Sequence, residues 1–368
     1  MAEQESLFPS DDGGAFVLPR LWLRDQGPEQ DVVVSSRMRL ARNVAGFHFK
    51  SRFDEGEDER LAGYLRDVLR TAEPGLRYHD LGGLTSTQRE VMFERHLVSR
   101  EHVTDQQPCG VAFNDDGTTS VLINEEDHLR LQVFAPGLDL SNLEERVVGL
   151  DERIGSHVDY AFDERFGFLT SCPTNTGTGL RVSVMLHLPA LSFRTEGRGG
   201  RKGERDIVRM HNAAQQLGLT VRGLFGESSR ADGDFFQISN QVTLGRAPEC
   251  TIEDVKNLVR LVLDWERRNR DSHITENRAR LEDHVWRALA LLTHARRMSS
   301  SEALGHLSAL RMGIYLELLD PVVDIPTIQS LMVTLRPGHL QLGSERELSP
   351  DERDVVRAEL IRDTLGRS

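Results

Sequence analysis

The spacing of apolar side chains changes twice along this chain and predicts three regions. Residues 1–30 are rich in glycine, aspartate and proline with little periodicity, which predicts a loose, flexible lead-in. From residue 31, short apolar runs alternate with helical repeats, and from about residue 251 helical spacing dominates. We therefore predict an α+β fold, with a mostly antiparallel sheet flanked by helices in a domain over 31–265. A helical C-terminal domain is predicted over 266–368.

The individual elements follow from the same spacing. Residues 110–124 predict a β-hairpin, because an Asp-Asp-Gly turn separates two apolar runs. Further strands are predicted at 128–134, 166–171 and 180–188, and a strand pair over 235–244. Helical spacing covers 57–72, 86–100, 141–158, 251–298, 300–319, 325–335 and 350–365.

Composition restricts the class of protein. Among 368 residues no apolar run approaches the roughly 20 residues that span a bilayer, so no membrane association is expected. The acidic, polar start of the chain does not resemble a signal peptide. The three cysteines form no CxxC pair, which predicts no disulfide framework or cysteine-based zinc site and favours a reducing cytoplasm.

Charge restricts the partners. The net charge is −13, and such a field repels nucleic acid, so no direct nucleic-acid partner is expected. The glycine- and arginine-rich segment 194–206 has no aromatic residue for stacking and is interpreted as a solvated surface loop. The chain has no P-loop motif and only three lysines, so a phosphate site must be built from arginine side chains.

Two short segments carry the most specific chemistry. Segment 124–130 (Asn-Glu-Glu-Asp-His-Leu-Arg) places adjacent carboxylates four and five residues before an arginine. Segment 170–181 places Cys172 in a Pro/Asn/Gly turn, nine residues before Arg181. Carboxylates bind a planar guanidinium, and fixed arginines bind phosphate oxygens through paired hydrogen bonds. Each residue alone would be an ordinary surface or core residue, but together they predict a site where ATP meets a guanidino group.

Four blocks in order resemble the phosphagen (guanidino) kinases: Ser-Ser-Arg-x-Arg at 35–39, the acidic segment 124–130, Cys-Pro-Thr-Asn-x-Gly-Thr-Gly-Leu-Arg at 172–181 and Arg-Gly-x-x-Gly-Glu at 222–227. Segment 353–358 (Arg-Asp-Val-Val-Arg-Ala) is similar to the phosphoarginine-sensing motif of the bacterial (McsB-type) protein arginine kinases. The first block also begins too early for the helical N-terminal domain of small-guanidine kinases. The resemblance implies the guanidino-kinase (glutamine-synthetase-like) fold for residues 31–265, with the sensing motif in the C-terminal domain.

The resemblance also implies residue roles. Glu126 and Glu227 would hold the target guanidinium, with Cys172 beside it as a third catalytic residue. The residues implied to bind ATP are Ser35, Ser36, Arg37, Met38, Arg39, His96, Arg130, Arg181, Val182, Ser183, Val184, Met185, Arg222, Gly223, Leu224, Phe225, Gly226 and Glu227. A phosphoarginine pocket would comprise Arg353, Asp354, Val355, Val356, Arg357 and Ala358. Magnesium would be held by the nucleotide, with no metal site on the protein.

The chain departs from the family pattern at two places. Thr176 stands where an aliphatic side chain is usual, and segment 194–206 resembles an insertion. The implied function is an ATP-dependent kinase that phosphorylates arginines of proteins and marks them for Clp-type degradation in a stress response. Implied partners are a zinc-binding activator, a Clp unfoldase–protease and further copies in a homodimer or higher oligomer. Two alternatives stay open: a small-molecule guanidino kinase, and a phosphoarginine-binding adaptor without activity.

Overall fold

One long antiparallel sheet organises the first two thirds of the chain. The computed structural model describes residues 18–193, 200–223, 232–320 and 323–366. For residues 200–205 and 232 it describes only the backbone. The strands are β1 Val33–Arg42, β2 Arg77–Asp80, β3 Gly110–Phe113, β4 Thr119–Ile123, β5 Leu129–Pro136, β6 Phe162–Asp163, β7 Gly167–Phe168, β8 Leu180–His187, β9 Leu219–Gly223 and β10 Phe235–Asn240. Eight of them form one sheet in the order β2-β3-β4-β5-β1-β8-β10-β9, and β6 pairs with β7 alone.

Helices cover the sheet and form the C-terminal region. They are α1 Glu57–Ala72, α2 Ser86–Glu94, α3 Arg100–Thr104, α4 Leu140–Gly155, α5 Pro189–Ser192, α6 Gly200–Gln216, α7 Pro248–His294, α8 Ser300–Tyr315, α9 Ile325–Thr334, α10 Pro337–Leu342 and α11 Pro350–Gly366. Every pairing in the large sheet is antiparallel. The predicted α+β fold with a mostly antiparallel sheet and a helical C-terminal region is confirmed.

Apolar and polar side chains alternate along the central strands, so the sheet has one face in the core and one polar face. Met38 and Leu40 of β1 are buried in the main hydrophobic core, which also takes side chains from α1, α4, α6 and the first half of α7. Arg37 and Arg39 lie between them in sequence and are half-buried on the other face. Because successive side chains of a strand point to opposite faces, the apolar face fixes where the arginines go.

A second core holds the C-terminal helices together. Leu281 and Val285 of α7, Leu310 of α8 and Ile361 of α11 are almost fully buried in it. The long helix α7 contributes to both cores, so it crosses the boundary predicted at 265/266. Its helical geometry is interrupted at Asn277, where φ is −137° and ψ is 24°.

The C-terminal helices dock on the sheet-containing region through buried polar contacts. The two oxygens of Glu94 accept hydrogen bonds from the backbone N–H groups of Gly338 (2.7 Å) and His339 (3.0 Å). The His339 ring lies between Glu94 (2.7 Å) and Arg95 (3.0 Å). Burial lowers the pKa of His339, so the ring is neutral, donating to Glu94 and accepting from Arg95.

Several local predictions are wrong in detail. The helix predicted over 86–100 is two helices, α2 and α3, because His96 adopts a left-handed φ of 63° between them. The strand pair over 235–244 is a single strand, β10, followed by a loop, and the strand over 166–171 covers only Gly167–Phe168. Residues 21–23 of the predicted loose lead-in are buried, with Trp22 stacked 5.3 Å from Phe134.

The interpretation of segment 194–206 as a surface loop is wrong for residues 200–206, which form the start of α6, a helix that packs Met210 and Ala214 into the core; residues 194–199 lie outside the described residues. The other predicted elements agree closely with the structure, as α1 and α4 illustrate. No helix within the described ranges combines the length and apolarity that crossing a bilayer requires.

Candidate active site

Strand register places the predicted arginines on one face of the sheet. Arg39 of β1 lies directly opposite Arg181 of β8, and Arg37 lies opposite Ser183. On the other side of β1, Arg39 lies opposite Gln132 of β5, and Arg130 is two residues along that strand. Residues directly opposite one another or two apart share a face. These side chains therefore form one polar surface.

Arg222 joins the same surface from the far strands. It lies opposite Gln237 of β10, which in turn lies opposite Met185 of β8. Met185 pairs with Ser35 of β1, on the same face as Arg37. The arginine face, defined as Arg37, Arg39, Arg130, Arg181 and Arg222, thus extends across strands β5, β1, β8 and β9.

The five arginines are electrostatically coupled. Burial and the charges of Arg130 and Arg181 lower the pKa of Arg37 to about 10. Burial and the charges of Arg37, Arg130 and Arg181 lower the pKa of Arg39 well below its usual value. Burial, Arg130 and Arg222 lower the pKa of Arg181. Like charges held this close repel one another, and a polyanion bound among them would offset that repulsion.

His96 belongs to the same neighbourhood. Burial lowers its pKa to about 3, with smaller contributions from the charges of Arg336 and Arg37. The imidazole is therefore neutral at pH 7 and can accept or donate a hydrogen bond. Arg336 comes from the turn between α9 and α10, so the C-terminal region supplies a cation beside this histidine. No sequence motif pointed to Arg336, because nothing local indicates that the two segments meet.

The two adjacent glutamates have different environments. Arg130 donates from Nη1 to Oε1 of Glu125 (2.6 Å) and from Nη2 to Oε2 of Glu126 (3.1 Å). The side chain of Glu125 is 3% exposed, whereas that of Glu126 is 44% exposed. Burial would raise the pKa of Glu125, but the charge of Arg130 and hydrogen bonds from Ser99 and the Glu126 amide bring it below its usual value. Glu125 is thus a buried ion-pair partner, and Glu126 is available to a ligand.

The acidic segment is fixed by long-range hydrogen bonds. Asn124 has a left-handed φ of 54°, and its carbonyl accepts from Nζ of Lys50 (2.7 Å). Oδ1 of Asp127 accepts from Nδ2 of Asn43 (2.8 Å) and from the backbone N–H of Ser171 (2.6 Å). The last bond joins the acidic segment to the loop that carries Cys172.

That loop, residues 170–179, lies against Glu126. Nδ2 of Asn175 donates to Oε2 of Glu126 (3.3 Å), and Sγ of Cys172 lies 3.0 Å from Oγ1 of Thr174. Gly177 has a φ of 109°, and a Cβ there would lie 2.6 Å from the carbonyl oxygen of Thr243. A glycine is therefore required for the loop to reach its position. The carboxylate of Glu126, which Asn175 of the loop contacts, partly offsets the lowering of the pKa of Arg181, so the loop and the arginine face adjoin.

The structure separates the implied ATP residues into two groups. Ser35, Ser183 and Met185 share the arginine face. The alternate side chains of the same strands point into the main hydrophobic core. Among the implied ATP residues, these are Met38, Val182 and Val184. Ser36 is also buried, and its hydroxyl donates to the carbonyl of Gly137 (2.7 Å). These four side chains therefore face away from the arginines.

The remaining implied ATP residues follow one another in sequence from Gly223, which is the last residue of β9. Leu224, Phe225, Gly226 and Glu227 lie outside the described residues. The role of Glu227 therefore stays a prediction.

The C-terminal motif lies near the start of α11. Arg357 is 2% exposed, donates to the carbonyls of Leu335 and Met298 (both 2.8 Å) and pairs with Asp354 (2.5 Å). Ala358 is buried, Arg353 and Val356 are half-buried, and Val355 is exposed. Arg357 thus holds helices together, while Arg353 is more open to solvent.

One group on the described surface has metal-ligand geometry. Ligand atoms of His48, Asp54 and Glu57 lie within 4.8 Å of one another. The carboxylate of Glu57 already accepts hydrogen bonds from the backbone N–H groups of His48 (2.9 Å) and Asp54 (2.8 Å). This arrangement orders the turn before α1 and lies outside the arginine face.

Comparison with known proteins agrees with this geometry. The sequence model of the ATP:guanido phosphotransferase C-terminal catalytic domain matches residues 61–269, and that of the protein-arginine kinase McsB C-terminal domain matches residues 278–368. A protein-arginine kinase of Halothermothrix orenii is 41% identical over 348 residues, covering 94% of this chain and 96% of the relative. One of Symbiobacterium thermophilum is also 41% identical, with the same coverage. The chain belongs to the protein-arginine kinase family.

Solved structures support the fold. Lombricine kinase superposes with a TM-score of 0.54 at 24% identity, covering 70% of this chain and 72% of the other. The duplicated taurocyamine kinase of Schistosoma mansoni gives a TM-score of 0.55 at 24% identity, and the match spans 36% of that chain. At this identity the likeness establishes the guanidino-kinase fold, and the sequence relatives establish the branch.

Proposed function

We propose that this protein transfers the γ-phosphoryl group of ATP to the side chains of arginine residues in proteins. The observation that carries the proposal is the position of Arg130. Its guanidinium belongs to the arginine face and also donates to Glu126, so a phosphate site and a guanidinium site adjoin. Phosphoryl transfer needs this juxtaposition, because the attacking nitrogen must approach the γ-phosphorus in line.

The arginine face would hold the triphosphate. Nε of Arg181 and Oγ of Ser183 are buried with no hydrogen-bond partner among the described residues, as expected of groups that bind a ligand. Fixed guanidiniums stabilise the charge that develops on the transferring phosphoryl group. Mg²⁺ would be carried in by the nucleotide phosphates, in keeping with its preference for phosphate and water oxygens.

Glu126 would position the target guanidinium. The pKa of an arginine side chain lies far above 7, so a neutral guanidine at pH 7 costs on the order of 8–9 kcal/mol and prior deprotonation is unfavourable. A carboxylate stabilises the charged form, and its role is therefore alignment followed by late proton transfer. As the N–P bond forms and the bond between the γ-phosphorus and the β,γ-bridging oxygen breaks, Glu126 takes the proton from nitrogen and ADP leaves. Glu227 would be the second carboxylate and Cys172 a neighbour of the guanidinium.

A protein substrate is favoured over a free guanidine by the relatives. The two relatives compared above, each 41% identical over 94% of this chain, are named protein-arginine kinases. The small-molecule kinases, for taurocyamine and lombricine, are 24% identical. Kinase activity on free arginine therefore remains the second candidate.

The proposal extends to regulation and partners, which the resemblance of the sequence motifs implies. The segment 353–358 would sense phosphoarginine, with Arg353 as the more accessible arginine of the motif. A zinc-binding activator, a Clp unfoldase–protease and self-association belong to the same proposal, as does a cytoplasmic role in the stress response.

The deciding experiment is incubation with ATP and Mg²⁺ plus either an unfolded protein or free arginine. Products are identified by mass spectrometry at neutral to mildly basic pH, because N–P bonds are labile in acid. We expect phosphoarginine in the protein sample. Phosphorylation of free arginine alone would favour the second candidate, and no transfer in either sample would contradict kinase activity.

A further inference from the structure

We propose that four exposed apolar side chains beside the Cys172 loop bind the polypeptide that carries the target arginine. The apolar rim is defined as Phe162, Phe166, Val242 and Leu244, which are 58%, 42%, 51% and 46% exposed. The inference rests on the proposed function and adds a selection rule: apolar residues near the arginine favour phosphorylation. Grouped exposed apolar side chains on a protein surface commonly mark a binding site.

Gly177 connects the two halves of the rim. Its carbonyl accepts from the backbone N–H of Phe168 (2.9 Å), and its own N–H donates to the carbonyl of Phe168 (3.1 Å). On the other side, a Cβ on Gly177 would lie 2.8 Å from Cα of Leu244. The hairpin 162–168 and the segment 242–244 therefore both contact the loop at one residue.

The rim is close to the guanidinium site. Gly177 is two residues from Asn175, whose amide donates to Glu126 (3.3 Å). Consecutive Cα atoms are 3.8 Å apart, so Gly177 is within about 8 Å of Asn175. An extended peptide advances roughly 3.3–3.6 Å per residue, so side chains about two or three residues from the target arginine would reach the rim.

The exposure of Val242 and Leu244 is imposed by the residue between them. Thr243 is 3% exposed, and its hydroxyl lies 3.0 Å from the carbonyl of Thr174 and 2.6 Å from that of Thr176. With Thr243 anchored against the loop, its two apolar neighbours stay at the surface. The hydrogen bonds of Thr243 thus hold this half of the rim against the loop beside the guanidinium site.

Phe162 of the aromatic half is also held in place. The ring of Phe162 packs edge-on against Phe168, with centroids 5.3 Å apart. The guanidinium of Arg42 lies 3.5 Å from the centroid of the Phe168 ring and is held by Asp151 (2.7 Å). A fixed apolar surface binds a partner without the entropy cost of ordering side chains first.

The chemistry of the rim specifies an exposed, apolar polypeptide segment. Folded proteins bury most large apolar side chains, so segments with an arginine between such residues are accessible mainly when a protein is unfolded. The one charged group of such a segment, its arginine, would be met by Glu126, whose side chain is 44% exposed beside the loop. The rim would then act as a filter at the same site that performs the transfer.

The test uses two nine-residue peptides with one central arginine. One carries leucine or phenylalanine two and three residues from the arginine, and the other carries serine or asparagine there. For the wild-type chain we expect kcat/KM to be about tenfold or more higher for the apolar peptide, mainly through KM. Equal values for the two peptides would overturn the inference, and this comparison needs no variant.

Variants locate the effect. In the double variant Val242→Ser/Leu244→Ser the preference should disappear while kcat/KM for the polar peptide stays unchanged. The matched control is Val148→Ser, which is 45% exposed on α4, beside the opposite face of the sheet. Thermal unfolding checks that each variant is folded, and Phe162→Ser provides an independent second variant.

Three further outcomes have distinct meanings. A preference that survives in every rim variant would place apolar recognition elsewhere and overturn the inference. A change of oligomeric state on Val242→Ser/Leu244→Ser, measured by sedimentation, would make the rim a contact between copies of this chain. If the wild type phosphorylates no peptide and no protein, the proposed function is wrong. If it phosphorylates both peptides equally well, only the further inference is wrong.

Discussion

Nη2 of Arg130 lies 3.1 Å from Oε2 of Glu126, while Nη1 of the same guanidinium lies 2.6 Å from Oε1 of Glu125. One arginine therefore links the phosphate side of the site to its acidic side. The pairing also shows that the carboxylate of Glu126 accepts a hydrogen bond from a guanidinium. Arg130 and the target arginine would approach the same carboxylate from different directions, and this shapes the first two predictions.

Replacement of Glu126 should remove the chemistry and spare the nucleotide. In Glu126→Gln the side chain keeps its shape but can no longer take a proton, so we expect kcat to fall by about 10²–10⁴-fold. ATP affinity, measured by calorimetry, should change little. Glu152→Gln, an exposed glutamate on α4, is the control. Full phosphotransfer by Glu126→Gln would remove this carboxylate from the mechanism.

Arg130 should contribute to stability as well as to binding. Arg130→Ala leaves Glu125 buried without its cation, so we expect a loss of about 3 kcal/mol in the free energy of unfolding. In Arg130→Ala/Glu125→Gln most of that loss should be recovered, because the uncompensated charge is gone. Denaturant unfolding of both variants measures the difference. No recovery in the double variant would mean that the pair is not the source.

Arg181 should act mainly on the nucleotide. The charges of Arg130 and Arg222 act on its guanidinium, and the described residues leave its Nε without a partner. Arg181→Ala should weaken ATP binding by roughly 10–100-fold, the loss of about 1.4–2.8 kcal/mol expected for a charge-assisted hydrogen bond. The control is Arg287→Ala, an exposed arginine paired with Asp283 on α7. Unchanged ATP affinity in Arg181→Ala would count against the arginine face as the phosphate site.

His96 should make unfolding depend on pH. Its pKa is lowered to about 3, so between pH 3 and 6.5 the unfolded chain binds a proton that the folded chain does not. Stability from this group therefore rises as pH increases through that window. His96→Asn should reduce the slope by up to about 1.4 kcal/mol per pH unit. Asparagine suits the left-handed φ of 63°, so the backbone should be retained. An identical slope in the variant would mean that His96 is not the proton-linked group.

The two arginines of the C-terminal motif should behave differently. Arg357→Ala removes hydrogen bonds to two buried carbonyls and leaves Asp354 unpaired, so Tm should fall by several degrees. Arg353→Ala should leave Tm nearly unchanged and abolish the effect of added phosphoarginine on the kinase rate. A rate response that persists in Arg353→Ala would show that Arg353 does not bind phosphoarginine.

Local sequence determined the separation of faces and the identity of the chemical groups. In β1 the apolar residues Met38 and Leu40 directly follow Arg37 and Arg39, so the two arginines must lie on the other face of the sheet once a strand forms. The Pro/Asn/Gly residues around Gly177 likewise predicted a turn. The motifs of the acidic segment and the Cys172 loop carried the family assignment. Each of these features depends on residues within a few positions of one another.

Only the tertiary structure decided which side chains these chemical groups contact and how deeply they are buried. Arg39 faces Arg181 because β1 and β8 pair in one register, and that register depends on packing along the whole sheet. The adjacent Glu125 and Glu126 have the same chemistry but opposite burial, and Arg336 reaches His96 from a segment about 240 positions away in the chain. Burial, register and electrostatic coupling come from packing between distant segments, so local spacing cannot specify them.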